Sequence, residues 1–209
     1  MFSIAIIGTV NIGSALATKW AQKGHKINLG VRDKNKFKGF ELLKNKNTYL
    51  YNIKEAVSKS EIILIATPAS HTIEVVKSLG DTSNKIIIDS MNIVGGNGPQ
   101  GYTNTADAIL DNTSTDKVIK CFNSTGFNNI INPTYNNINI DMFMAGNNKE
   151  AKNIVRTLAL DCGFQECFDF GDNTKFTLLE QFALIWINLA IFNGNGREIA
   201  FKLLKRGNS

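Results

Sequence analysis

The sequence predicts an α/β protein: a Rossmann-type, doubly wound, mostly parallel sheet with a small C-terminal helical lobe. Three observations lead there. The chain opens on an apolar strand, Phe2 to Ile7, that enters a glycine turn and then a helix beginning with small residues. A second strand, His25 to Asp33, follows at the distance a dinucleotide-binding unit requires. Beyond it, short continuous apolar runs alternate with segments of helical periodicity.

The elements follow in order. Ile12, Leu16 and Trp20 recur at helical spacing and pack the first helix on the sheet. The Lys-rich stretch after Arg32 reads as a helix to about Lys44, Thr48 to Tyr51 as a short strand and Ile53 to Ser58 as a short helix. Glu61 to Ala66 is a buried strand, and Ser70 to Leu79 a helix with Ser70 as N-cap. Lys85 to Asp89 is another strand, followed by a glycine-rich loop over 93–104 and a helix from Thr105 to Leu110. Strands are expected at Val118 to Phe122, Asp141 to Ala145 and Glu166 to Phe170, with an amphipathic helix from Asn148 to Cys162. Thr174 to about Asn193 is a long helix, and Arg197 to Lys205 closes the chain. A boundary is expected at Gly146, with residues 1–146 as a dinucleotide-binding Rossmann domain and 147–209 as a small lobe packed on the same core.

A chain of 209 residues builds one good core. Its net charge of +5 suits a polyanionic cofactor, and the scattered basic residues argue against nucleic acid. Cys121, Cys162 and Cys167 form no CxxC pair, and His25 and His71 are the only histidines, so no metal is expected. The opening strand lacks a basic n-region and is not a signal peptide, which points to the cytoplasm. The apolar run from Phe182 to Phe192 is too short to span a bilayer, so no membrane partner is expected. Large apolar residues near the C-terminus suggest a homodimer.

The glycine turn comprises Gly8, Thr9, Val10, Asn11, Ile12 and Gly13. Its backbone N–H groups and the positive helix end face a pyrophosphate. Val10 replaces the middle glycine of Gly-x-Gly-x-x-Gly and adds a branched side chain where backbone approaches phosphate, so weaker or displaced cofactor binding is expected. At the end of the second strand stands Arg32 rather than an acid, with Lys34, Lys36 and Lys38 beyond. An acid would repel a 2′-phosphate, whereas Arg pairs with it, so NADP is favoured over NAD.

Ligands of open α/β sheets lie beyond the carboxyl ends of the strands. That rule selects Ala66, Thr67, Pro68 and His71 after one strand, Asn92 after the next, and Asn123 to Gly126 after the third. Thr67, Pro68 and His71 would flank the nicotinamide, while Asn92, Asn123 and Gly126 would line a flat acceptor site, with the Gly95 to Pro99 loop as its cover. No acid–base pair stands out, and His71 is the one catalytic candidate. Asp89 reads as a hydrogen-bond acceptor for loop amides, and Cys121 as packing.

These motifs resemble the NADPH-dependent coenzyme F420 reductase family over nearly the whole chain. Gly8-Thr-Val-Asn-Ile-Gly13 is similar to its Gly-Thr-Gly-Asn-x-Gly, Gly30-Val-Arg32 to its Gly-Ser-Arg, and Lys120-Cys-Phe-Asn123 to its Lys-Ala-Phe-Asn. Phe143-Met-Ala-Gly146, Leu179-Glu180 and Ala200 to Leu204 also resemble family segments. The resemblance implies that Thr9, Arg32 and Lys36 hold the phosphates and that His71 lies near the nicotinamide. It departs at Val10, at Val31 in place of a serine, and at Asn147-Asn148 in place of paired acids. The expected function is hydride transfer between NADPH and a planar acceptor, a flavin or a deazaflavin, in an NADP-dependent oxidoreductase. The alternatives are an NADPH-binding redox sensor without turnover and a small imine or carbonyl reductase.

Overall fold

The computed structural model describes residues 1–206. In chain order the elements are β1 (Ser3–Ile7), α1 (Asn11–Gln22), β2 (Lys26–Val31), β3 (Thr48–Asn52), α2 (Ile53–Ser58), β4 (Ile62–Ile65), α3 (Thr72–Ser78), β5 (Ile86–Asp89) and α4 (Thr105–Asp111). There follow β6 (Val118–Cys121), α5 (Phe127–Ile131), β7 (Thr134–Tyr135), β8 (Ile138–Asn139), β9 (Met142–Ala145), α6 (Lys149–Asp161), β10 (Cys167–Asp169) and α7 (Phe176–Ile187). The main sheet runs β10-β9-β6-β5-β4-β1-β2-β3. Its β3-β2-β1-β4-β5-β6 portion is the parallel strand order of dinucleotide-binding folds, with the direction reversing between β1 and β4. The antiparallel pairing of β9 with β6 adds a two-strand extension.

Strands buried on both faces need apolar residues at every position. β1, β4 and β5 meet that demand with Ala5, Ile6, Ile63, Leu64, Ile87 and Ile88, all buried. Alternate side chains divide between two cores. Ile4, Ile6, Leu64 and Ile88 meet α1 and α6, through Leu16, Trp20, Val155 and Leu158 among others. Ala5, Ile7, Ile63 and Ile87 meet α2, α3, α4 and α7. The Trp20 Nε1–H donates to Leu158 O at 3.0 Å and joins α1 to α6. His25 accepts from Phe2 N at Nδ1 and lies 3.0 Å from Asp161 Oδ2 through Nε2, which pins β1, β2 and α6 together. Residues after Gly146 therefore share both cores: α6 packs beside α1, and β10 extends the main sheet.

Several expectations change. The Lys-rich stretch is not one helix but two 3-10 turns, Lys34–Lys36 and Phe40–Lys44. Asp33 accepts from Asn35 N and starts the first, and Phe37 is buried, its ring 5.4 Å from that of Phe40. Gly39 lies against the Phe37 ring, where a Cβ would be 2.8 Å away. Ser70 is not an N-cap: it lies in a 3-10 turn over Ala69–His71, and α3 starts only at Thr72 with no side-chain cap. Helix α5 and the β7–β8 hairpin were not expected. The hairpin turns on Asn136 and Asn137, both at positive φ (48° and 67°), a conformation Asn tolerates. The long helix continues past α7 as a π-helical segment, Asn188–Phe192. With the turn before it, this helical stretch runs Asn173–Phe192, 20 residues with a mean hydropathy of 1.4 over an 18-residue window, long and apolar enough by length and composition to cross a membrane. The shorter run read from sequence understated it. One face lies in the core through Phe176, Leu179, Ala183, Trp186 and Ala190.

No second C-terminal helix forms among the described residues after Gly196. That strap is held instead by scattered bonds. Asn129 Nδ2 and Trp186 Nε1 both donate to Ile199 O at 2.7 Å, and Leu203 N donates to Asp141 Oδ2 at 2.9 Å.

Helix α1 approaches β1 so closely that a Cβ on Gly13 would lie 1.8 Å from the Gly8 carbonyl oxygen. Backbone on both sides leaves no flexible atom to yield. Gly13→Ala is expected to lower unfolding free energy by at least about 2 kcal/mol in urea titration; an unchanged midpoint would contradict this packing.

Candidate nucleotide and hydride-transfer site

The carboxyl ends of β1, β2, β4, β5 and β6 share one edge of the sheet. β1 leaves through Gly8 at φ 98°, where a Cβ would fall 2.4 Å from Ala66 O. The exits of β1 and β4 thus pass in contact at the switch point. Val10 is the N-cap of α1, in extended backbone, and no side chain caps the helix. The residue is 71% exposed, so its side chain is not packed against the protein. Asn11 takes φ 44° at the helix start. Thr9 and Ile12 are half-buried, and Ile12 packs on the core. The first-turn N–H groups of α1, with no acid among them, have the chemistry of a pyrophosphate cradle.

Arg32 follows β2 directly, with its side chain 76% exposed. Its Nη1 lies 3.4 Å from Glu74 Oε1, and the other oxygen of that carboxylate is 3.3 Å from His71 Nδ1. Glu74 therefore sits between the β2 end and the β4–α3 connection. Lys36 is exposed, 3.9 Å from Asp33 Oδ2. Ala66 is half-buried, Pro68 exposed, and Thr67 donates to Met91 Sδ at 3.4 Å, tying the β4 exit to the β5 exit.

At the β5 and β6 ends two asparagines pair reciprocally. Asn92 Nδ2 donates to Asn123 O at 2.8 Å, and Asn123 Nδ2 donates to Asn92 Oδ1 at 2.9 Å. Phe122, fully buried, turns the chain with φ 63°, a conformation that strains a bulky residue by about 1–3 kcal/mol. Asn123 Oδ1 is buried without a partner among the described residues. Gly126 lies under the Trp186 indole, where a Cβ would be 2.6 Å from the ring. It is closed to direct ligand contact in this conformation. Two concavities of about 340 and 330 Å³ lie elsewhere, one at the amino ends of β4 and β5 and one beside Asp141 and Lys202.

Beneath the asparagine pair lies a cluster that sequence reading missed. Lys120 Nζ is 2.6 Å from Asp89 Oδ2 and 2.7 Å from Glu180 Oε1, and it donates to Met91 O at 3.0 Å. Lys120 and Asp89 are fully buried, and Glu180 nearly so. Thr105 Oγ1 lies within hydrogen-bond distance of all three. Asp89 does accept from a loop amide, Met91 N, as expected, but it also carries half of this ion pair. Burial pushes the Asp89 carboxyl above its usual range; Lys120 opposes that, and Glu180 reinforces it. The available signal was a lone Lys inside the apolar strand Val118-Ile-Lys-Cys and a lone Glu inside an apolar helix. Cys121 packs 3.9 Å from Cys167, and burial raises its thiol pKa, so it is a poor nucleophile.

The family of NADP oxidoreductases described as coenzyme F420-dependent matches residues 3–93, from β1 into the loop after β5. The chain is 27% identical to glycerol-3-phosphate dehydrogenase [NAD(P)+] of Thermoanaerobacter sp. (strain X514), over 84% of this chain and 63% of that one. It is 25% identical to the F420-dependent NADP reductase of Methanocaldococcus jannaschii, over 90% of this chain and 92% of that one. The chain thus spans less than two thirds of the first relative and nearly all of the second. A solved structure of a candidate F420-dependent NADP-reductase from Arthrobacter sp. FB24 superposes with TM-score 0.85 at 24% identity, covering 98% of this chain and all of that one. At that identity the match establishes the shared fold.

Removing the one cation from this cluster leaves two buried carboxylates facing each other. Lys120→Met is expected to lower stability by about 3–5 kcal/mol, read by denaturant unfolding. Asp89→Asn tests the pH dependence. An acid whose pKa is raised on folding holds its proton more tightly in the native state, so its contribution is lost as pH rises from the unfolded value through the folded one. Asp89→Asn should therefore gain stability relative to wild type as pH rises across that window; a relative loss would mean that Lys120 outweighs burial.

Proposed function

We propose that this chain, whose residues 3–93 match the coenzyme F420-dependent NADP oxidoreductase family, is an NADP(H)-dependent oxidoreductase that passes a hydride between NADPH and a planar flavin- or deazaflavin-like acceptor. The observation that carries this reading is the switch-point geometry. An uncapped helix end, the touching exits of β1 and β4, and an exposed arginine beyond β2 lie on one sheet edge.

The residues suit the cofactor. The α1 amides and Thr9 would hold the pyrophosphate, with the exposed Val10 side chain beside them. Arg32, with Lys36 beyond it, would take the 2′-phosphate once Arg32 leaves Glu74. Thr67, Pro68 and His71 would flank the nicotinamide, and Asn92 and Asn123 the acceptor. NADPH supplies the hydride when bound; the protein orients two flat rings and excludes water. A hydride passed between stacked rings needs no strong acid–base pair.

We also propose that two copies associate through the outer face of α7 and its π-helical continuation. Leu178, Ile185 and Phe192 are exposed there, Phe192 by 70%. Work in the cytoplasm would keep the three cysteines as thiols.

Calorimetry tests the nucleotide site. NADPH should bind more tightly than NADH. Arg32→Glu should weaken NADPH by about 10- to 100-fold, the range for losing charge-assisted hydrogen bonds. Glu74→Gln should tighten NADPH by about two- to fivefold, because it removes an exposed competitor for Arg32. If neither nucleotide binds the wild type, the reading fails. For the assembly, light scattering should give twice the chain mass, and Ile185→Asp should give the monomer.

A further inference from the structure

Both ends of the loop over 93–104 are hydrogen-bonded to one side chain. Glu180 Oε2 accepts from Ile93 N, and Glu180 Oε1 accepts from Thr105 N, each at 2.9 Å. Glu180 lies on α7, far along the sequence, and reaches these amides only because the helix packs across the ends of β5 and β6. One helical position earlier, Leu179 O accepts from Asn123 Nδ2 at 3.4 Å. The same carboxylate is fixed from below by Lys120 at 2.7 Å.

The glycine-rich tip of the loop, Val94 to Gly98, has no comparable anchor: its backbone bonds are local, Asn97 N to Val94 O and Gly98 N to Gly96 O. Gly95 and Gly96 take positive φ, and a Cβ on Gly96 would meet nothing within 4 Å. Nearer α4 the loop is also held by side chains: Tyr102 Oη donates to Asp111 Oδ2 at 3.2 Å, and Asn104 Nδ2 donates to Thr177 Oγ1 at 3.0 Å. A glycine-rich tip with local bonds only takes its position from the segments on either side of it. Asn92 stands immediately before the first end, paired to Asn123.

We propose that Glu180 is a positioning residue for the acceptor side of the site. Held by Lys120, it clamps both hinges of loop 93–104 and so fixes Asn92 and the Asn92–Asn123 pair against which a planar acceptor stacks. The inference rests on the reading of the site given above, and it assigns to α7 a part in acceptor binding separate from nucleotide binding. Glu180 touches neither ligand; it acts through Ile93, Thr105 and Asn92. An isosteric amide keeps the volume but loses the charge that holds Lys120 and strengthens the amide bonds.

The test uses the full chain and two readouts. Residue-resolved amide exchange by NMR needs no ligand: in the wild type, Ile93 and Thr105 should exchange at least tenfold more slowly than Gly95 and Gly96. In Glu180→Gln that protection should fall while exchange in β1 and β4 stays unchanged. Steady-state kinetics with NADPH and a 5-deazaflavin or riboflavin phosphate should show about a tenfold rise in acceptor KM, with NADPH affinity by calorimetry within twofold of wild type. A KM change without a change in nucleotide affinity separates positioning from general destabilisation. Unchanged exchange at both amides, unchanged acceptor KM, or an equal loss of NADPH affinity would each overturn the proposal. If Glu180→Gln does not fold, the wild-type exchange pattern decides it, and Ile93 or Thr105 exchanging as fast as Gly95 overturns it. If the wild type binds no NADPH, the hydride-transfer reading fails by itself, and the clamp stands or falls on exchange alone.

Discussion

A lysine ammonium with no exposed surface is the constraint around which the carboxyl-end architecture is organised. Lys120 cannot stay charged in the interior unless its donors meet acceptors. Asp89 from β5, Glu180 from α7, Met91 O and Thr105 at the head of α4 supply them. The acceptors come from three parts of the chain: the β5 exit, the head of α4 and α7. The demand of one cation thus fixes the relative position of two strands and two helices. Two carboxylates against one ammonium also leave the cluster short of positive charge, and the raised Asp89 pKa registers that shortfall together with the burial.

The two halves of the sheet edge differ in how their residues are held. On the β1–β2 side the candidate groups are exposed and loosely engaged: Arg32 and Lys36 have only long, solvent-facing ion pairs at 3.4 and 3.9 Å. Such pairs contribute little and yield readily to a phosphate. On the β5–β6 side the groups are buried and cross-linked: reciprocal Asn92–Asn123 bonds, Phe122 in a strained turn, and Glu180 below. A charged, exposed end suits capture of a polyanion. A rigid end suits the alignment of two rings, for which small displacements matter.

The α7 stretch joins fold to site. Its inner face fills the core through Phe176, Leu179 and Trp186, and Trp186 closes over Gly126. Its one buried acid faces the ion cluster. Its outer face, with Ile185 and Phe192, has no cover among the described residues. The irregular strap after it is tied back by Trp186 and Asn129 to a single carbonyl, Ile199 O. The helix is therefore structural on one side, bonded to the ion cluster at Glu180, and uncovered among the described residues on the other.

The features legible along the chain follow from local rules. Apolar runs gave the buried strands, Gly8 and Gly13 the βα turn, and apolar periodicity the helices α1 and α6. Arg32 in place of an acid is legible because its place is counted along the chain from the strand. Where local signals competed, the reading failed. The lysines after Arg32 suggested a helix, but Asp33 and Gly39 break it, and Asn136-Asn137 marked a hairpin that went unread. Chain folding brings Glu74 against Arg32 and makes Asp89, Lys120 and Glu180 meet. Those facts depend on contacts between residues distant in sequence, formed only when strands pair and a helix crosses their ends. No periodicity or spacing encodes them.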